Sequence, residues 1–243
     1  MYLRNLSFVV YLYTTLLIIA LFNPIVSAQQ DRFESGLASK DRGHYATAIR
    51  AWLPLAESGN PEAQNNVGYM YEEGLGVPQN YLLAMNWYRQ AAENGLAEAQ
   101  HNMGMLYHHG YGVAENLTEA FRWFKMAAEQ KLAESEYMLG LAYENGEGTE
   151  LDYAEAKRLL LSAARKNYAP AQMMYAFMLQ AGEGGDSEPF RAYVWGKIAE
   201  KNGSDVALDV TVMSTVQLDD DELSAAEKLV EECLTGSLAD CPE

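Results

Sequence analysis

Cysteine is nearly absent: only Cys233 and Cys241 occur in 243 residues, and both lie in the last eleven. A framework of disulfides threaded through the fold is therefore excluded, and two cysteines with no histidine nearby in sequence do not make a metal site. Basic residues are also scarce, 17 Lys and Arg against 34 Asp and Glu, for a formal net charge of −17. That deficit argues against nucleic acid and anionic membrane surfaces, both of which require basic patches. The short signatures of common catalytic folds are missing: no G-x-S-x-G, H-E-x-x-H, S-x-x-K or G-x-x-x-x-G-K-[ST] occurs. Long apolar runs are missing too, apart from one near the N-terminus, Leu6 to Phe22.

What the chain does have is repetition. The phrases AQNNVGYMYEEGLG from Ala63, AQHNMGMLYHHGYG from Ala99, SEYMLGLAYENGEG from Ser135 and AQMMYAFMLQAGEG from Ala171 recur at a fixed 36-residue spacing. Residues 61–96 and 97–132 share 16 of 36 positions, far more than chance allows, and Gly74, Gly110, Gly146 and Gly182 keep the register without a slip. A fixed period of this length signals a stacked array of helical units. Apolar and small residues fall at helical spacing in each half of a unit, as in Ala63, Val67, Met70 and Tyr71, then Tyr81, Ala84, Tyr88 and Ala91. The first helix of the first unit is expected from Glu62 to Glu73, stopped by Gly74. The second is expected from Asn80 to about Asn94. Asn116 and Asp152 are the matching N-caps in the next units, with Glu119 and Glu155 placed to complete capping boxes. Gly68, Gly104 and Gly140 sit inside first helices, at a cost of about 1 kcal/mol each relative to alanine. Close approach of a partner helix backbone is the expected compensation.

The pattern A-Q-x-x-[LVM]-G-x-x-Y-x-x-G-x-G-V followed by A-x-x-W-[YF]-x-x-A-A-E resembles the Sel1-like repeat, a relative of the tetratricopeptide repeat. The resemblance covers residues 45 to about 203 and implies an all-α solenoid of antiparallel helix pairs. The repeats are placed at 61–96, 97–132, 133–168 and 169–204. The third has Leu159 and Leu160 for the aromatic pair; the fourth has Ala176 for glycine and Gly196 for the second aromatic. Residues 45–60 read as a lone second helix, so 29–60 is expected to form an N-terminal helix pair. Residues 205–243 are expected to supply C-terminal capping helices, over Val206 to Val216 and Asp221 to Leu234, since the end units of such arrays need a polar outer face.

The ends carry separate information. Arg4, the apolar run and the small-residue site Val26, Ser27, Ala28 read as a signal peptide over residues 1–28. An uncleaved inner-membrane anchor is the alternative, because the run nears the roughly 20 residues that span a bilayer. No cysteine follows the run, so a bacterial lipid anchor is not indicated. In an exported chain, periplasmic or secreted, a Cys233–Cys241 disulfide is expected; a free pair or a bond to a partner are the alternatives. After Gly203, Lys228 is the single base against eleven acids, a run more often a solvated face than a binding site.

Candidate binding residues follow from helical phase. Positions equivalent to 65, 69 and 72 share one face of the first helices and lie outside the repeat's packing signature. They are Asn65, Tyr69 and Glu72; His101, Met105 and His108; Tyr137, Leu141 and Glu144; Met173, Phe177 and Gln180. In such solenoids the first helices line the inner, concave wall by resemblance to the family. The row Tyr69, Met105, Leu141, Phe177 is apolar throughout, as a groove for a helix or an extended peptide requires, or as packing between neighbouring repeats requires. His101 and His108 stand two turns apart, a spacing that zinc sites seldom use; no metal and no cofactor is expected. The expected function is a non-enzymatic, exported scaffold or adaptor that binds a partner protein or peptide. Recognition of a cell-wall glycan or exopolysaccharide, with Tyr69 and Tyr137 stacking on sugars, is the alternative. A β-lactam hydrolase, as for some cysteine-rich relatives, is disfavoured because the chain lacks a disulfide in every repeat and any S-x-x-K.

Overall fold

A computed structural model describes residues 26–204 and 207–242. The apolar run of the expected signal peptide, and Val206 at the expected start of a C-terminal helix, lie outside the described residues. All regular structure among the described residues is helical. In chain order the helices are α1 (26–41), α2 (Tyr45–Glu57), α3 (Pro61–Glu73), α4 (Tyr81–Glu93), α5 (Ala97–His109), α6 (Leu117–Glu129), α7 (Ala133–Asn145), α8 (Tyr153–Arg165), α9 (Ala169–Ala181), α10 (Pro189–Lys201), α11 (Ala207–Thr215) and α12 (Asp220–Thr235), with a 3₁₀ turn at Leu238–Asp240. Within each of its compact units consecutive helices pair and stack, an all-α solenoid architecture. The chain divides into two compact units, Met1–Asn94 and Gly95–Glu243.

Local chemistry sets the ends of these helices. Asn60, Asn80, Asn116 and Asp152 each accept backbone N–H groups with their side chains at an N-cap, satisfying donors that the first turn would leave bare. Gly74, Gly110, Gly146 and Gly182 each close a first helix in the left-handed conformation, φ 68–72°. The expected capping boxes at Asn116 and Asp152 are only half formed. Glu119 instead holds Arg122 at 2.9 Å and Glu155 holds Arg158 at 2.6 Å, because an arginine one turn on offers a carboxylate stronger, charge-assisted hydrogen bonds than a single backbone N–H. The reciprocal box appears at α12, between Asp219 and Glu222.

The helix-interior glycines receive side chains, not backbones, which corrects the expected close backbone approach. In unit 1 a Cβ on Gly68 would lie 2.7 Å from the Tyr88 ring. In unit 2 a Cβ on Gly104 would lie 2.5 Å from Phe124, and one on Gly140 would lie 2.9 Å from Leu160. In these three repeats the large member sits on the second helix, where Tyr88, Phe124 and Leu160 are fully or almost fully buried. In the fourth repeat the sizes reverse, with Ala176 on the first helix and Gly196 at the position of the large residue; Tyr175 and Trp195, 5.8 Å apart edge to face, occupy the core there. The same contact also identifies α1 and α2. A Cβ on Gly36 would strike the Trp52 indole at 2.2 Å, and Trp52 stands 36 residues before Tyr88. α1 and α2 form one more helix pair, its linker four residues shorter (42–44 against 74–80).

Two further contacts join one pair to the next. The second glycine of three G-x-G turns abuts the start of the preceding second helix. A Cβ on Gly76 would lie 2.6 Å from the Ala46 nitrogen, one on Gly148 2.2 Å from the Leu117 carbonyl oxygen, and one on Gly184 2.8 Å from Tyr153 Cβ. The glutamine of the A-Q phrase is buried and reaches back across the junction. Gln64 Nε2 donates to the Ala56 carbonyl at 3.1 Å and Gln172 Nε2 to the Ala164 carbonyl at 3.0 Å, satisfying carbonyls in the last turn of a preceding helix. Its second partner lies 30 residues on: Gln130 Nε2 donates to Gln100 Oε1 at 2.8 Å, and Asn202 Nδ2 to Gln172 Oε1 at 2.8 Å. In the third repeat both members carry charge, Glu136 and Lys166, 2.6 Å apart.

The C-terminus closes unit 2. Ser214 Oγ donates to Gln180 Oε1 at 2.6 Å, seating α11 on α9. Cys233 and Cys241 form a disulfide, and the tail it holds accepts two hydrogen bonds: Arg165 Nη2 donates to the Cys241 carbonyl and Trp195 Nε1 to the Pro242 carbonyl, each at 2.9 Å.

Two substitutions separate conformation from contact. Gly146 and Gly148 share the left-handed conformation, but a Cβ on Gly146 meets nothing nearer than 3.7 Å, whereas one on Gly148 runs into fixed backbone. Gly146→Ala is expected to cost about 1–2 kcal/mol, and Gly148→Ala about 1–3 kcal/mol more; equal denaturation midpoints would refute the junction role of Gly148. Glu136 has a 2 % exposed side chain, so Lys166→Gln leaves a buried carboxylate without its cation and is expected to cost about 3 kcal/mol. Adding Glu136→Gln recreates the Gln100–Gln130 pair and should restore most of the midpoint in urea.

Candidate partner-binding surface

The expected binding face is built on α3 in unit 1 and on α5, α7 and α9 in unit 2. In unit 1, Tyr69 is 41 % exposed and Asn65 is half-buried. Glu72 is half-buried and accepts a 2.5 Å hydrogen bond from Tyr88 Oη, so it ties α3 to α4. Burial pushes its carboxyl up from the usual carboxylate range, and the Tyr88 bond opposes part of that rise.

In unit 2 the face is graded. Met105 is half-buried and packs on the core between α6 and α7, Leu141 is half-buried, and Phe177 is 45 % exposed. Met173 is half-buried beside Phe177, whereas Gln180 is buried against Ser214. Tyr137 stands edge-on to Tyr168, ring centroids 5.5 Å apart, which leaves it half-buried and a poor stacking platform. His101 Nδ1 lies 2.9 Å from Ser135 Oγ with its ring against Phe124, and burial holds its pKa below the usual histidine value. His108 turns elsewhere, with Nε2 3.5 Å from Glu147. The two histidines thus do not converge; among the described residues no three His, Cys, Asp or Glu side chains are placed to share a metal.

Next to Leu141 the surface opens into a cavity of about 220 Å³ lined by His108, Phe121, Phe124, Met138, Leu141 and Glu147, among others. Its walls are mainly apolar, with His108 and Glu147 among the polar groups that line it. One repeat further along, Glu144 and Glu183 occupy the positions of His108 and Glu147. Burial, and next the Glu183 charge, push the Glu144 carboxyl up to about 7. Glu144 Oε2 and Glu183 Oε2 are both buried without a hydrogen-bond partner. Sequence phase had marked Glu144 but not Glu147, Glu183 or the cavity-lining Phe121 and Met138; the 39-residue offset that sets residue 108 against 147, and 144 against 183, is the signal that could have found them.

Such a surface can seat apolar side chains and a cation, and Ser135, the hydroxyl that lies within hydrogen-bond reach of His101, is fully buried. No helix among the described residues is long and apolar enough to cross a membrane.

Comparison with known proteins agrees with this architecture. The Sel1 repeat profile matches residues 61–96, 97–132, 133–168 and 169–204. A Sel1 repeat protein from Oxalobacter formigenes of solved structure is 28 % identical, with 79 % of this chain and 88 % of that chain covered and a TM-score of 0.65. A protective antigen of uropathogenic Escherichia coli with the same fold is 24 % identical, with a TM-score of 0.54; the match covers 81 % of this chain and half of that one. Among curated proteins none matches the chain. Proteins built from this repeat are generally protein-interaction scaffolds and typically not enzymes. Its four repeats and their helix-pair geometry place the chain in the Sel1 repeat family.

Proposed function

We propose that the protein is an exported scaffold that takes a partner protein or peptide on the first-helix face of unit 2. The observation that carries this reading is the exposed apolar surface of that face: Phe177 nearly half exposed, Leu141 half-buried, and an apolar-walled cavity beside it. Exposed apolar surface that gathers beside a cavity marks an interaction site more often than scattered exposed residues do. Net charge favours a partner without strong negative charge, since removing residues 1–28 takes away only Arg4 and leaves 16 basic against 34 acidic residues, a balance of −18. Export is supported by the N-terminal sequence and by the disulfide, a bond that persists in oxidising compartments.

A photocrosslinking residue placed at Phe177 or Leu141 should capture one protein in the native cell, while the same group at Lys125, elsewhere on α6, should not. Phe177→Ser, at an exposed position, should cost less than about 0.5 kcal/mol of stability yet weaken capture at position 141 about tenfold or more. Unchanged capture by a variant of unchanged melting temperature would place the partner elsewhere. Export is tested separately by intact mass: the chain isolated from its own cell should begin at Gln29 and offer no alkylatable thiol. A mass that retains residues 1–28 would reject cleavage, and two reactive thiols would reject an oxidising destination.

A further inference from the structure

The steps of the repeat act as internal controls for one another, and at one place a step is incomplete. Where α5 meets the turn after α7, the chain sets an imidazole against an acid, His108 Nε2 3.5 Å from Glu147. One step on, where α7 meets the turn after α9, it supplies Glu144 against Glu183, two acids with an unpartnered buried oxygen each. The groups bearing on Glu144 are Glu183 from that turn and Tyr137 on its own helix, neither a cation. Elsewhere in unit 2 buried acid is neutralised internally, as Glu136 is by Lys166. Leu141 lies three residues before Glu144, one helical turn or roughly 5 Å away, so the cavity and the carboxyl pair are neighbours on one face of α7.

Resting on the interaction surface proposed above, we infer that the partner segment carries a lysine or arginine next to an apolar side chain. The cation enters between Glu144 and Glu183, and the apolar group enters the cavity beside Leu141. Charge selects this occupant. A second copy of a chain with net charge −17 brings more acid to an acidic place, and an anionic surface is repelled in the same way. A basic segment gains both the long-range field and the Glu144 carboxylate, whose ionisation it restores.

The test uses the full mature protein and a panel of twelve-residue peptides, each pairing one Lys or Arg with one Leu or Phe at spacings of one to four residues. Matched peptides carry Gln or Glu in place of the cation, and anisotropy reports affinity. At least one basic spacing should bind, its Gln counterpart about tenfold or more weaker. Binding should tighten from pH 6 to pH 8 as the Glu144 carboxyl ionises. Glu144→Gln with Glu183→Gln should remove the preference for the cation and its pH dependence without lowering the melting temperature. Leu141→Ser should weaken basic and Gln peptides alike. Equal binding of basic and Gln peptides, or a double variant that keeps the preference, would overturn the cation assignment while leaving the apolar surface standing. Binding by no peptide would overturn it as well. Calcium that titrates into the wild type but not the double variant, and displaces the peptides, would assign the pair to a metal instead; self-association at neutral pH that the double variant loses would assign it to a second copy.

Discussion

The α1–α2 pair and the first three repeats are spaced by the same physical device, a large side chain from the second helix seated over a glycine on the first. A ring or branched chain at Tyr88, Phe124 or Leu160 fills space that even a methyl group on Gly68, Gly104 or Gly140 would contest. The glycine weakens its helix by about 1 kcal/mol, but burying the large partner contributes about 1.5–3 kcal/mol. Because the contact needs both members in phase, it locks the rotation of one helix against the other. Gly36 and Trp52 show that the lock outlives a change in linker length: four linker residues are gone and the contact persists. In the fourth repeat, Ala176 and Gly196 reverse the sizes together, as a contact of constrained total volume demands.

Fixing the rotation also decides which residues are left over. With 3.6 residues per turn, residues 64 and 68 of the first repeat face the core together, and 65, 69 and 72 lie to one side of them. The glutamine at 64 and the second turn glycine are occupied at the junctions between pairs, so neither can be spent on a ligand. Positions equivalent to 69 and 72 carry no such duty in every repeat. They can be tyrosine, methionine, leucine or phenylalanine at one, and glutamate, histidine or glutamine at the other. The fold tolerates that variety because its stacking contacts lie elsewhere on the helix. Where such a position has acquired a structural duty, as Glu72 has with Tyr88 and Gln180 with Ser214, it is correspondingly less available to a partner.

Helix ends were legible in the sequence because they are local. An asparagine at an N-cap and a glycine after the last turn act within four residues, and the end of α3 and the starts of α4 and α6 follow from Gly74, Asn80 and Asn116. The capping boxes were misjudged because Arg122 and Arg158 compete for the same glutamates, and spacing alone does not rank two partners. Contacts between helices were harder. The Gly36–Trp52 contact is masked by its spacing, since 16 residues separate the two where the periodic pairs are 20 apart. The Glu136–Lys166 exchange and the 144–183 pairing join residues 30 and 39 apart, offsets that mean something only once the stacking direction is known.

The two buried carboxylates of the third repeat show how placement separates structure from recognition. Glu136 lies at a junction and has its own lysine, so its charge is neutralised within the chain. Glu144 lies on the face left over by the stacking, with another acid opposite. Its carboxyl is raised from an unfolded value near 4.5 to about 7, so the folded state holds a proton that the unfolded chain has released. Between those values stability therefore falls as pH rises: the contribution is complete below about 4.5 and gone above about 7. A salt bridge of the Glu136 kind would have spared the fold that loss. An array that neutralises one acid internally and leaves another to face a like charge gives up stability at one place on the face, and a proton or a cation from outside offsets that loss.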